Sequence, residues 1–197
     1  MAFVLADEHI ALALLALKEA KFIPCTKGSS CPRVHGSQAW PPSVHLHISE
    51  EFVISLYEKS DLLWKFGEFG FCQFEKSPHV LSASDCRLPS AVPGRGRGRF
   101  PQELSFVSIP SAAAFCEALI LLLCRDYDTV YETYWLAILT YILEYVDETD
   151  IFDGTDLGEE YRKFYYALKG ADPTMYLLLD ELRSDLTSKG HLPKGNS

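Results

Sequence analysis

The sequence changes period at Pro110, and that change constrains the fold more than any single motif. Before it, apolar residues come in short runs, some alternating with period two, cut apart by Gly, Ser and Pro. After it, they recur every third or fourth residue. Period two builds half-buried strands and period 3.6 builds amphipathic helices, so the chain reads as a sheet followed by helices.

In the first half, residues 3–6 predict a short buried strand and residues 7–21 a helix, with Ile10, Leu14, Leu15 and Leu17 at helical spacing. Asp7 and Glu8 suit the positive N-terminal end of that helix. Residues 22–25 begin a strand that Pro24 cuts short, because proline has no N–H for the ladder. Residues 44–48 alternate and residues 52–57 are apolar on both faces. They predict a hairpin whose second strand is central in a sheet. Residues 79–84 and 104–109 read as further strands.

In the second half, Ser111 caps a helix running to about Arg125. Val130, Tyr134, Ala137, Ile138, Tyr141, Ile142 and Tyr145 form one stripe, widened by Trp135, Leu136, Leu139 and Leu143. This predicts a helix buried on most sides. Tyr161, Phe164, Tyr165 and Leu168 mark a third helix ending at Gly170. A fourth opens with Asp172 as cap and Pro173 at its first position, and buries Met175, Leu178, Leu179, Leu182 and Leu186. The fold class expected is α+β: a small mixed β-sheet with an N-terminal helix, followed by a C-terminal bundle of about four helices. Residues 1–110 form the sheet region, 111–192 the helical region packed on it as one compact unit, and 193–197 a mobile tail.

The chain has 197 residues, enough for one domain to bury about 70% of its unfolded surface. Its formal charge of −9 sets the field against polyanions, so neither nucleic acid nor an anionic membrane is expected as partner. Residues 1–17 are interrupted by Asp7, Glu8 and His9 and lack a basic start, so no secretory leader is expected. Cysteines at 25, 31, 72, 86, 116 and 124 are scattered. Cys116 and Cys124 lie in apolar helical context and suit buried free thiols. A reducing setting, cytoplasmic or nuclear, is expected.

Cys25, Cys31 and His35 offer three zinc ligands, with His45 or His47 as a fourth. Zinc sites usually show two tight pairs. Here five residues separate the cysteines and the second pair of candidate ligands holds no cysteine, so the expectation is an ordinary loop with free thiols and no metal. His45 and His47 share one strand face and could present two imidazoles to a metal or substrate. The plainer expectation is two half-buried polar residues facing outward. Arg95, Arg97 and Arg99, interleaved with glycine, could cradle a phosphate, but the stretch lacks the Lys-Ser/Thr of a P-loop and reads first as a solvated loop. Residues 144–160 carry eight carboxylates and no basic residue. They fail the register of a calcium loop, so a solvated acidic helix end is expected. No Gly-x-Ser-x-Gly elbow and no dinucleotide fingerprint is present.

Several stretches look familiar together: residues 3–8 (FVLADE), the helix to Lys21 and Phe22, 40–47 (WPPSVHLH), 53–57 (VISLY), 59–64 (KSDLLW), 109–111 (IPS) and 116–120 (CEALI). On these the chain resembles an uncharacterised group of fungal proteins with a nucleotidyltransferase-like fold. In such folds a Gly-Ser turn precedes a strand bearing Asp-x-Asp, whose carboxylates hold two Mg²⁺ ions. The resemblance puts residues 3–6 at or just after that strand, so the Gly-Ser turn and acidic pair would fall before Met1. Gly36-Ser37 does not replace them. His45 and His47 stand where a later acid is expected. No catalytic residue carries over. What the resemblance implies is a catalytically inactive domain that binds a protein or a nucleotide-like ligand and needs no cofactor. The other reading is an active Mg²⁺-dependent nucleotidyltransferase whose catalytic N-terminus is missing from this chain.

Overall fold

The computed structural model describes residues 1–35, 39–50, 52–67, 78–92 and 98–193. Contacts divide the chain into two units. One is Met1–Phe69 with Asp128–Tyr134; the other is Gly70–Tyr127 with Trp135–Ser197.

The first unit is built around the expected hairpin. Strands β3 (Val44–His47) and β4 (Val53–Glu58) pair antiparallel, with Leu46 opposite Ile54 and His45 opposite Ser55. Strand β1 (Ala2–Leu5) joins β4 in parallel, and β2 (Ile23–Pro24) joins β3 antiparallel, giving the order β1-β4-β3-β2. The doubly apolar strand is therefore central, as its sequence predicts. Pro24 ends an edge strand after two residues. The sheet is mixed because helix α1 (Ile10–Glu19) carries the chain from β1 to β2.

Strand alternation sends Val44, Leu46, Ile54 and Leu56 to one face. There they pack with Ile10, Ala13, Leu14 and Leu17 of α1. Asp7 lies in a single 3₁₀ turn before α1, and its carboxylate accepts from Ser60 N–H at 3.1 Å, at the start of the short helix α3 (Lys59–Leu62). Hydrogen bonds from the Ser60 hydroxyl and from this N–H hold the Asp7 carboxyl below its ordinary range. The opposite sheet face carries His45 and His47. It meets the segment after β2, which includes the short helix α2 (Pro32–His35).

In the second unit β5 (Val80–Ser82) pairs with β6 (Ser108–Pro110). Here the expected strand over 104–109 is corrected: Gln102–Leu104 is a 3₁₀ turn, and pairing begins at Ser108. Ser111 then caps α4 (Ala112–Arg125), its hydroxyl accepting from Ala114 N–H at 3.3 Å. Helix α4 is the core element, with Cys116, Ile120, Leu123 and Cys124 wholly inaccessible. Helices α6 (Glu159–Lys169) and α7 (Met175–Ser188) bury Phe164, Tyr165, Leu179 and Leu186. Asp172 does not cap α7 directly; it accepts from Thr174 N–H and Oγ1, in a turn that precedes the helix.

Helix α5 (Glu132–Tyr145) departs from expectation. Only Trp135, Leu139 and Ile142 are buried, and the ring pair Tyr141–Tyr145 is exposed. Tyrosine tolerates water through its hydroxyl, so the widened stripe overstates the buried arc. The acidic stretch also departs in one place. The Asp147 side chain is 2% exposed and pairs with Lys169 Nζ at 2.6 Å. Among the described residues no helix is long and apolar enough to cross a membrane.

Candidate metal centre

The side chains of Cys25, Cys31, His45 and His47 each bring one ligand atom to a common point, all within 4.8 Å of one another. Three local features put them there. First, β3 alternates, so sending Val44 and Leu46 to the α1 core forces His45 and His47 together onto the other face. Their ring centroids are 5.7 Å apart. Second, β2 pairs with β3, and the ladder runs one residue further: Cys25 N–H donates to the His45 carbonyl at 3.0 Å. This fixes Cys25 beside His45. Third, Gly28 takes a left-handed φ of +50° and opens a 3₁₀ turn, Gly28–Ser30. Glycine adopts that φ without steric cost. The turn brings the chain back, and Cys31 N–H donates to the Gly28 carbonyl at 3.2 Å. Pro32 then starts α2, as proline favours a first helical position.

The result is a set of two sulfurs and two imidazoles with graded burial. Cys31 is 1% exposed and His45 6%, while Cys25 and His47 are half-buried. Cys31 Sγ lies 3.6 Å from His47 Nε2, and Lys27 N–H donates to Cys25 Sγ at 3.4 Å. Zinc bonds of about 2.3 Å to sulfur and about 2.0–2.1 Å to nitrogen imply tetrahedral ligand–ligand edges of about 3.3–3.8 Å. The 3.6 Å between Cys31 Sγ and His47 Nε2 falls inside that range, and the four ligand atoms together span no more than 4.8 Å. The donor set is soft and nitrogen-rich, which suits zinc and not Mg²⁺ or Ca²⁺, whose ligands are oxygens.

Energetics point the same way. Of the residues from Cys25 to Val34 whose exposure is described, only Cys31 and Val34 are buried. Fixing each backbone residue costs about 1–2 kcal/mol, and burying one valine returns only about 1.5–3 kcal/mol. A structural zinc ion contributes about 10–16 kcal/mol in small domains. That is the scale needed to order a segment of about ten residues with so little apolar anchorage.

The sequence singled out His45 and His47 as ligand candidates, and the structure places them together. It does not turn them outward as two half-buried polar residues; the Cys25–Cys31 segment covers that face and His45 is buried. The weighed zinc set changes in composition: both strand histidines join the two cysteines. His35 ends α2, and its side chain lies outside what the structure describes. Arg95 and Arg97 lie outside the described residues. Arg99 donates from Nη1 to the Cys86 carbonyl at 3.1 Å and from its N–H to the Pro89 carbonyl at 2.8 Å, so it holds its own loop. It belongs to the second unit, and the histidines to the first. The pairing of Cys25 with the His-x-His strand was the missed signal. A strand cut by proline, adjacent in space to an alternating strand, delivers its next residue to the neighbour's side chains.

No protein-family model, curated protein or solved structure matches this chain.

Proposed function

We propose that the Met1–Phe69 unit is a zinc-binding module, and that the chain serves as a non-catalytic binding domain for a protein or nucleotide-like ligand. The observation that carries the metal reading is the convergence of Cys25, Cys31, His45 and His47 within 4.8 Å. Four protein ligands close a tetrahedral zinc and leave no position for water or substrate, which is the arrangement of structural sites. The zinc then acts as a staple: it ties the segment after β2 to the sheet face that α1 leaves uncovered.

The non-catalytic part rests on the same residues. Where the resemblance to a nucleotidyltransferase-like fold expects an acid, β3 bears His45 and His47. Their partners are thiols, and imidazole–thiolate sites bind Mg²⁺ poorly. The Mg²⁺-dependent enzyme reading needs convergent carboxylates on this strand, and these donors are of another kind.

The test is metal content with function assayed beside it. Protein purified from zinc-containing medium should hold one zinc per chain, and Cys31→Ser and His45→Ala should each lose it. Calorimetry with nucleoside triphosphate and Mg²⁺ should show no turnover heat. Zinc retained in both variants would sink the metal reading. Mg²⁺-dependent nucleotide transfer would sink the non-catalytic one.

A further inference from the structure

The four ligands are unequal in access, and that inequality carries a second consequence. Cys31 is 1% exposed, while Cys25 is half-buried and lines an open cleft of about 380 Å³ together with Pro24, Gly28, Pro41, Pro42 and His45. One cysteine of the pair thus meets solvent and the other does not. Resting on the zinc reading, we propose that this centre is a peroxide-responsive switch, in which Cys25 is oxidised first and closes a disulfide with Cys31, expelling zinc.

The chemistry follows from what zinc does to sulfur. A bound thiol is held as thiolate, the nucleophilic form. The Cys25 thiolate attacks one oxygen of hydrogen peroxide, forms S–O and releases hydroxide, giving the sulfenic acid. The Cys31 thiolate then attacks the Cys25 sulfur, forms S–S and displaces a second hydroxide. Two electrons leave the sulfurs and reduce one peroxide to two hydroxides, which two protons convert to water. Both anionic ligands are consumed. The two remaining imidazoles hold zinc far less well, and the ion departs.

Geometry allows the second step. The two sulfurs lie within 4.8 Å, and must close to about 2.05 Å. The intervening turn rests on local bonds, Ser30 N–H to the Lys27 carbonyl and Cys31 N–H to the Gly28 carbonyl, and Gly28 has open space around the position of a Cβ. The turn between the two sulfurs therefore has room to move at Gly28. The interior thiols are protected by contrast. Cys116 and Cys124 are inaccessible, and burial pushes both thiols up, Cys124 to about 12. They stay protonated and unreactive at neutral pH.

The experiment uses the full-length zinc-loaded protein, peroxide, a chromophoric zinc chelator and peptide mapping by mass spectrometry. The expected result is one zinc released per Cys25–Cys31 disulfide, with thiol reductant and added zinc restoring the starting state. In Cys25→Ser no such disulfide forms. Zinc that stays bound while peroxide is consumed overturns the switch and leaves the zinc reading intact. So does zinc release with sulfinic acid at Cys25 and no bond to Cys31. Protein that holds no stoichiometric zinc before peroxide is added overturns both.

Discussion

Cys116 and Cys124 sit on α4 among leucine, isoleucine and alanine side chains, whereas Cys25 and Cys31 sit in a turn-rich segment facing two histidines. The same residue type is a core filler in one unit and a candidate ligand in the other. Unit two buries a long apolar helix and two helices against it, so it can meet the entropy of folding from burial alone. Unit one has a narrower core, Leu46, Ile54 and Leu56 packed with α1 on one face of its sheet. On the other face, four soft ligand atoms lie within 4.8 Å of one another, and the proposed zinc would add order there. The buried charge of Asp126 in unit two is locally satisfied: it accepts from Arg125 Nε and Nη2 and from Trp135 Nε1, each at 2.7 Å.

Removing the metal should produce the largest effect and should divide the units. Chelation should cost unit one on the order of 10 kcal/mol of metal-linked stability. Hydrogen exchange should then rise across residues 23–47 and stay unchanged across 112–127 and 135–188. Equal loosening of both would break the contrast.

A change in unit two should do the reverse. Asp126→Ala removes a buried carboxylate that accepts from Arg125 and from the buried Trp135 Nε1–H, which should cost about 3–5 kcal/mol. Chemical denaturation should record that loss while zinc content stays at one per chain. Ser111→Ala removes the cap of α4 and should cost about 1 kcal/mol, again with no change in metal, read as a shift in the denaturation midpoint.

The smallest effect sharpens the acid side. Arg87 bonds the Asp85 carboxylate and holds it down at about 2. A depressed carboxyl stabilises the fold above its ordinary range near 3.9, and that contribution is lost as pH falls toward the folded value. Because the pair is solvent-exposed on the arginine side, the effect should be below about 1 kcal/mol. Asp85→Asn should therefore lower stability at neutral pH slightly and leave it unchanged below pH 2. Acid should disturb unit one more strongly, because protons compete with zinc for thiolate and imidazole.

Much of the fold was legible because local chemistry decided it. Pro24 ended β2, the doubly apolar run became the central strand, and Ser111 opened α4. Two elements misled. The α5 stripe counted Tyr141 and Tyr145 as core although phenol rings sit readily at a surface. The run at 104–109 was apolar enough for a strand but began as a turn. The candidate site was half legible. His45 and His47 share a face by period alone. The cysteines join them only through pairing of β2 with β3 and the left-handed turn at Gly28, which are matters of tertiary register. Spacing rules for zinc describe ligands close in sequence, and here the two pairs meet across a sheet.

X-ray absorption at the zinc edge of the purified full-length chain tests the central claim most directly. The account predicts a four-coordinate shell with two sulfur atoms at about 2.3 Å and two nitrogen atoms at about 2.0 Å. A shell of oxygen atoms, a sulfur count other than two, or no stoichiometric zinc to measure would contradict it.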